Sequence, residues 1–249
     1  MASDNAVEIR PLATRSEYEE CVALQREVWG AAYSEIVPIT VMEIAARVGG
    51  ICIGAFRESG DLVGFVFGVT GPRDGALTHW SHMLALREGW RGRGLGTRLK
   101  FAQRESAAAL GAHSIQWTFD PLVSRNAHFN LNRLGVSVVR YAPDMYGPSG
   151  SELHRLGTDR LVVRWDLAEE GGATAPAGDG AEVAIPSDID ALQRRDLDEA
   201  LAWRAAIRRE LGGLLGDGYQ VVGFDRGGDF GRYLLVRAAA SGPSGQADG

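Results

Sequence analysis

The sequence predicts an α/β protein in which helices flank a mixed, mostly antiparallel sheet. Apolar runs of strand length alternate with amphipathic runs of helix length, and short turns join the first apolar runs. Short turns make antiparallel neighbours, whereas the later helical runs are crossover connections between parallel strands. The predicted order for residues 1–168 is β-α-α-β-β-β-α-β-α-β-β.

The first part of the chain contains four predicted strands and three predicted helices. Ser16 is the predicted N-cap of the first helix, with Glu19 at the capping-box position. Gly111 ends the third helix, as glycine often does. In order, the elements are strand Val7–Pro11, helices Ser16–Trp29 and Thr40–Val48, strands Ile51–Phe56, Leu62–Val69 and Leu77–Leu86, and helix Thr97–Leu110.

The rest of the chain contains the end of this domain and a smaller C-terminal extension. Residues 169–182 are rich in Gly, Ala and Pro and read as a linker, and 239–249 read as a disordered tail. Residues 183–238 predict a small α/β extension. The elements are strand Ser114–Phe119, helix Arg125–Leu134, strands Val136–Tyr141 and Leu161–Leu167, then strand Val183–Pro186, helical Asp188–Leu215 and a hairpin of Tyr219–Phe224 with Arg232–Val236.

Composition narrows the class of protein. With 45% hydrophobic and 23% charged residues, the chain has the balance of a globular protein. The net charge of −6 argues against nucleic acid as a partner, because phosphate binding needs a basic face. There is no apolar run of membrane-spanning length, and we expect a cytoplasmic protein. Cys21 and Cys52 predict buried thiols in a reducing compartment.

A glycine-rich segment, Arg91-Gly-Arg-Gly-Leu-Gly96, lies between a predicted strand and a predicted helix. Such a turn presents backbone N–H groups at a helix N-terminus, where they bind anions. It is not a P-loop, because Thr97-Arg98 stands where Lys-Ser or Lys-Thr is needed. The glycine spacing of two also departs from the dinucleotide fingerprint. An ordinary strand-to-helix turn is the alternative.

Two histidines occupy the strand before this segment, in His79-Trp80-Ser81-His82. Alternation along a strand places His79 and Ser81 on one face and His82 on the other. The two imidazoles therefore should not bind one metal ion, and we expect no metal. Histidine is the side chain whose ordinary pKa suits a base near neutral pH. A hydrogen-bonded structural histidine is the alternative for each.

The glycine segment resembles the pyrophosphate loop of the GNAT acyl-CoA N-acyltransferases: Arg or Gln, two residues, Gly, one residue, Gly or Ala. Sequence between Trp117 and Trp165 is similar to a bacterial subgroup of predicted GNAT acyltransferases. The resemblance implies the GNAT fold and an N-acyltransferase that uses acetyl-CoA or another acyl-CoA, such as succinyl-CoA, as cosubstrate. It implies a small-molecule amine, such as an amino acid, as acceptor.

The resemblance also implies roles for individual residues. His82 would be the general base, acting through water, with His79 as the second choice. Leu131 stands where the family usually has an acid tyrosine, so Tyr141, Tyr146 or solvent would protonate the thiolate. The cosubstrate would contact Leu84, Leu86, Arg91, Gly92, Arg93, Gly94, Leu95, Gly96, Thr97, Asn126 and Phe129; the acceptor would contact His79, Asp120 and Asn130.

Two other functions stay open at this point. One is acetylation of a protein N-terminus or lysine. The other is a non-catalytic acyl-CoA-binding regulator, which the missing helix tyrosine favours. The spacing of Asn126 and Asn130 fits either a polar face toward a ligand or a capped, kinked helix start. A homodimer is a further expectation.

Overall fold

The computed structural model describes residues 6–31, 33, 35–148, 154–168 and 179–237. Its elements follow the predicted order along the chain. They are β1 (Val7–Pro11), α1 (Arg15–Trp29), α2 (Ile39–Arg47), β2 (Ile51–Arg57), β3 (Leu62–Arg73), β4 (Ala76–Leu86), a 3-10 turn (Glu88–Trp90), α3 (Leu95–Ala109), β5 (Ser114–Phe119), α4 (Ser124–Ala127), a π-helix (His128–Arg133), β6 (Ser137–Ala142), β7 (Arg160–Asp166), β8 (Gly180–Pro186), α5 (Ile189–Arg195), α6 (Leu197–Gly216), β9 (Tyr219–Asp225) and β10 (Phe230–Arg237).

These strands form two sheets. The first has seven strands in the order β1-β2-β3-β4-β5-β7-β6, and the second has three in the order β8-β10-β9. The pairs β1-β2, β2-β3 and β3-β4 are antiparallel, whereas β4 and β5 are parallel. The predicted α/β fold with a mixed, mostly antiparallel sheet and a C-terminal extension is confirmed.

The chain divides into two compact units. The first comprises Met1–Trp117, Gly150–Arg155 and Arg164–Glu170, and the second comprises Thr118–Ser149, Leu156–Val163 and Gly171–Gly249. Strand β8 starts at Gly180, inside the predicted linker. Residues 169–178 of that linker and the predicted tail 239–249 lie outside the described residues.

The core of the first unit lies between the sheet and the helices α1 and α2. Leu24 of α1, Met42 of α2 and Phe65 of β3 belong to this core, and all three side chains are fully buried. Cys21 and Cys52 belong to the same core as buried free thiols, as the sequence predicted. Within the described ranges, no helix has the length and apolarity needed to cross a membrane.

The N-terminus of α1 differs from the prediction by two residues. Thr14, not Ser16, is the N-cap: its hydroxyl accepts from the Glu17 N–H at 3.4 Å, and the Glu17 carboxylate accepts from the Thr14 N–H at 3.2 Å. Glu17 also accepts from Arg10 at 2.7 Å, and this bond lowers the pKa of Glu17 to about 2. The contact with β1 therefore selects the cap.

The helix after β5 also differs from the prediction of one continuous α-helix. After one α turn it widens into the π-helix, and the Leu134 N–H bonds the Phe129 carbonyl at 3.0 Å. The Asn132 amide donates to the Phe224 carbonyl of β9 at 2.9 Å. Because this contact is distant in sequence, helical periodicity alone could not reveal it.

Candidate functional site

Strands β4 and β5 separate partway along their length. Their parallel pairing covers Thr78–Ser114, His79–Ile115 and Trp80–Gln116, and no pair follows these in the described part of the chain. Strand β4 nevertheless continues to Leu86, paired on its other side with β3. Backbone groups of β4 beyond Trp80 are therefore open to an extended ligand on the β5 side.

His82 lies at a β-bulge on this open part of β4. Phe67 pairs with Met83 and Gly68 pairs with Ser81, so His82 is the extra residue between them. Its side chain is exposed, and its ring meets that of Phe67 edge-on at 6.3 Å. Desolvation by the surrounding protein lowers the pKa of His82, opposed by the nearby Glu35 carboxylate. The lowered pKa favours the neutral form of the His82 imidazole at physiological pH.

The glycine-rich segment connects β4 to α3. Gly92 and Gly94 have φ of 73° and 79°, in the left-handed region that glycine adopts without strain. Gly94 is the N-cap of the 15-residue α3 and has no side chain to cap it. The first intrahelical bond runs from the Arg98 N–H to the Gly94 carbonyl, so the preceding N–H groups of the helix have no acceptor within it. The segment therefore has the geometry of an anion site.

Arg91 uses two of its donors within the chain, and its predicted contact with the cosubstrate stays a prediction. Its N–H bonds the Glu88 carbonyl at 3.1 Å, and its Nε donates to the Leu86 carbonyl at 3.2 Å. The N–H groups of Leu95, Gly96 and Thr97 at the start of α3 precede the first intrahelical bond and could donate to an anion.

His79 is fully buried and part of a polar network under β4. Its Nδ1 lies 2.9 Å from Thr70 Oγ1, and its Nε2 lies 3.0 Å from the Gln103 amide nitrogen. Because Gln103 Oε1 accepts from Lys100 at 2.9 Å, the Gln103 amide must donate to Nε2 of a neutral ring. Burial and Lys100 lower the pKa of His79 to about 4. No ring nitrogen of His79 is left for an acceptor amine.

Lys100 completes this network. It is 2% exposed, its Nζ donates to Ser81 Oγ at 2.9 Å, and it lies 3.7 Å from the centre of the Trp117 ring. Burial lowers the pKa of Lys100 to about 7. One sequence signal could have identified it: Lys100 is the only lysine among 26 basic residues.

Three of the other predicted site residues belong to the second unit and have partners there. Asp120 accepts from the Leu122 N–H at 2.8 Å and from Arg204 at 2.6 Å. Tyr141 donates to Asp159 at 2.5 Å, and burial together with Asp159 raises the pKa of Tyr141. The Tyr146 hydroxyl, in an exposed side chain, lies 3.0 Å from Thr118 Oγ1.

The predicted asparagine face is also in the second unit. Asn130 is buried and donates from its amide to the Asn126 carbonyl at 2.8 Å, so this bond stabilises the helix start. Phe129, beside it, is half-buried. No group of three or more His, Cys, Asp or Glu that could hold a metal occurs among the described residues.

The comparisons with known proteins follow this geometry. Residues 15–135, which include β4, the glycine segment and α3, match the model of the acetyltransferase (GNAT) family. No curated protein sequence matches the chain significantly.

Several solved structures share the fold. Aminoglycoside 6'-acetyltransferase type Ii has a TM-score of 0.51 at 18% identity, covering 66% of this chain and 99% of its own. The yncA protein of Salmonella typhimurium, solved with its cofactor acetyl-CoA, has a TM-score of 0.52 at 16% sequence identity. The match covers 69% of this chain and 100% of the yncA chain. The ribosomal-protein-S18-alanine N-acetyltransferase of Escherichia coli has a TM-score of 0.52 at 10% sequence identity. The match covers 68% of this chain and 99% of the Escherichia coli chain. Residues 15–135 of the chain therefore carry a domain of the acetyltransferase (GNAT) family.

Proposed function

We propose that this protein transfers an acyl group, acetyl or succinyl, from an acyl-CoA to the amine of a small molecule such as an amino acid. The observation that carries the proposal is the open side of β4, which leads directly into the glycine segment and the uncapped N-terminus of α3. An extended chain ending in phosphates matches this sequence of binding groups.

The residues fit an acyl-CoA on two counts. Backbone groups of Leu84 and Leu86 lie on the open part of β4, where the pantetheine arm would bind. The start of α3 supplies donors for the pyrophosphate, with Arg93 in the segment just before it. The bound acyl-CoA supplies the activated thioester. Contacts from Asn126 and Phe129 to the cosubstrate stay predictions.

His82 would accept the proton that the amine loses as it attacks the thioester carbonyl, directly or through one water. Its exposed position and lowered pKa support this role, because a neutral imidazole is needed. A backbone N–H near Leu84 would stabilise the developing oxyanion. Of the two predicted acids, Tyr141 donates its hydroxyl proton to Asp159, which opposes its use as an acid, and the role of Tyr146 stays a prediction.

The acceptor is the less supported half of the proposal. Both ring nitrogens of buried His79 already have partners, and the Asp120 carboxylate already accepts from Arg204 and the Leu122 N–H. Asn130, the third predicted contact, is buried too. The Glu35 carboxylate, close enough to affect His82, is a group that would attract a cationic amine. This favours a small amine that reaches His82.

The test is a thiol-release assay with acetyl-CoA and succinyl-CoA against three classes of amine: free amino acids, an aminoglycoside and a peptide with N-terminal alanine. We expect the fastest release with a free amino acid. Fastest release with the peptide would favour protein acetylation instead. Tight CoA binding without thiol release for any amine would favour a non-catalytic regulator and overturn the proposal.

A further inference from the structure

Lys100 is the single lysine of the chain, and every other basic residue is arginine. A lysine ammonium is a compact charge that loses its proton when buried, whereas a guanidinium stays ionised. The one lysine of the chain lies at a buried position, where this difference matters. The position itself is at the separation of β4 and β5.

Lys100 contacts the first residues beyond the end of the β4–β5 ladder. The last paired residues are Trp80 and Gln116. The next residue on β4 is Ser81, which accepts from Nζ, and the next on β5 is Trp117, whose ring lies under Nζ. A side-chain bridge from α3 thus joins the two strands where backbone pairing stops.

Both contacts of this bridge are anchored. Ser81 pairs with Gly68 of β3, and a Cβ at Gly68 would lie 2.4 Å from His79 Nε2, so strand and network are closely packed. Trp117 meets Trp165 edge-on at 6.2 Å, and Trp165 meets Phe101 of α3 at 5.1 Å. A change at Lys100 therefore acts on Ser81, the residue next to His82.

We propose that Lys100 is a positioning residue that bridges β4 and β5 beyond their last backbone pair and so holds His82 and the open side of β4 in the geometry that acyl transfer needs. The inference rests on the proposed function and adds a residue that acts through Ser81 without touching either substrate.

One of the two contacts of Lys100, the one with the Trp117 ring, depends on pH. The titratable group that faces Lys100 from β4 is His79, which is neutral; β5 presents Trp117, and α3 presents Gln103. No carboxylate pairs with Lys100 among the residues described. Loss of the proton would keep the bond to Ser81 but weaken the attraction to the Trp117 ring, which depends on the positive charge. The contact with β5 is therefore the one that deprotonation removes.

The first test replaces Lys100 in the full-length protein. Lys100→Met keeps the length of the side chain, and we expect about 10-fold lower kcat with the KM for acetyl-CoA within about 3-fold, because misplacement affects chemistry more than binding. Glu105→Gln, an exposed charge change on the same helix, is the control and should match wild type. A kcat of Lys100→Met equal to that of wild type would overturn the inference.

If Lys100→Met fails to fold by circular dichroism, Ser81→Ala replaces it, because this variant removes only the hydroxyl contact. We expect the same direction of change, with kcat lowered and KM for acetyl-CoA retained. Unchanged kcat in folded Ser81→Ala would overturn the inference.

The second test uses the single lysine. Labelling with ε-13C lysine gives one side-chain signal, whose titration midpoint is the pKa of Lys100. We expect wild-type kcat to fall as pH rises through that midpoint, and this descending limb to be absent in Lys100→Met. A kcat that stays constant across the midpoint would overturn the inference. An inactive wild type overturns the proposed function, and the inference with it; an active wild type with unaffected variants overturns the inference alone.

Discussion

The two compact units differ in the partners that they provide for a buried ionisable side chain. In the second unit, the fully buried Asp159 accepts from Tyr141, from the Asp144 N–H at 3.0 Å and from Arg208. In the first unit, the buried Lys100 is surrounded by a hydroxyl, an amide and an indole ring. One charge has a counter-ion and the other has neutral partners.

The difference shows in how each group titrates. Burial acts to raise the pKa of Asp159, but the hydrogen bonds from Arg208 and Tyr141 outweigh it and lower the pKa. The bond to Asp159 raises the pKa of Arg208, so this pair stays ionised over a wide pH range. Burial lowers the pKa of Lys100 to about 7. Paired charges of this kind support a fold, whereas an unpaired group that titrates near neutral pH is typical of functional sites.

The largest expected effect is on the stability of the paired network. Asp159→Asn removes the buried carboxylate that Arg208 and Tyr141 bond, while Arg208 is partly exposed and keeps Asp144, so it should lower the free energy of unfolding by about 2–3 kcal/mol, measured by urea denaturation. Glu210→Gln, which removes an exposed ion pair on the same helix, should change it by less than about 1 kcal/mol. Equal effects of the two variants would contradict the comparison.

The pH dependence of this loss follows from the lowered pKa of Asp159. Its folded value lies below the ordinary 3.8, so its contribution is fully present above that pH and is lost as pH falls through the folded value. The stability difference between wild type and Asp159→Asn should therefore be constant near neutral pH and shrink in acid.

The next effect should appear in catalysis and leave stability unchanged. His82→Gln removes the proposed base and should lower kcat about 100-fold. Because burial lowers the pKa of His82 from its ordinary 6.5, wild-type kcat should rise with pH through a midpoint below 6.5, on the acid side of the fall expected from Lys100, and the variant should lack this rise. The exposed His113→Gln is the control. Full activity of His82→Gln from pH 6 to pH 9 would rule out the base assignment.

A smaller effect should fall on cosubstrate binding. Gly94→Ala forces a side chain onto a residue with φ of 79° and should weaken CoA binding about 10-fold, measured by isothermal titration calorimetry. Gly89→Ala is a matched control, since Gly89 lies in the adjacent 3-10 turn, outside the left-handed region and with open space around it. Equal affinities of the two variants for CoA would show that the backbone geometry at Gly94 does not contribute to anion binding.

The smallest expected effect is on stability and concerns the exposed cap of α1 in the first unit. Thr14→Ala removes the α1 cap and should lower the free energy of unfolding by about 1 kcal/mol, whereas Ser16→Ala should leave it nearly unchanged. Thermal and urea denaturation of both variants give the measurement. The reverse order would place the cap at Ser16.

Much of the fold could be predicted because its signals are local. Element order follows from hydrophobic periodicity, and the glycine segment follows from residues within a few positions of one another. The cap of α1 could not be chosen this way, because Thr14 with Glu17 and Ser16 with Glu19 fit the same pattern. Arg10, brought near by β1, decides between them.

The sequence by itself therefore determined the order of strands and helices, the glycine segment and the residue types available for base chemistry. Only the tertiary structure decided which of these groups are buried. It separated exposed His82 from buried His79, and it placed Lys100 in a buried position at the end of the β4–β5 ladder. The physical reason is that burial and pairing depend on contacts between strands distant in sequence, and these contacts set the protonation state on which function depends.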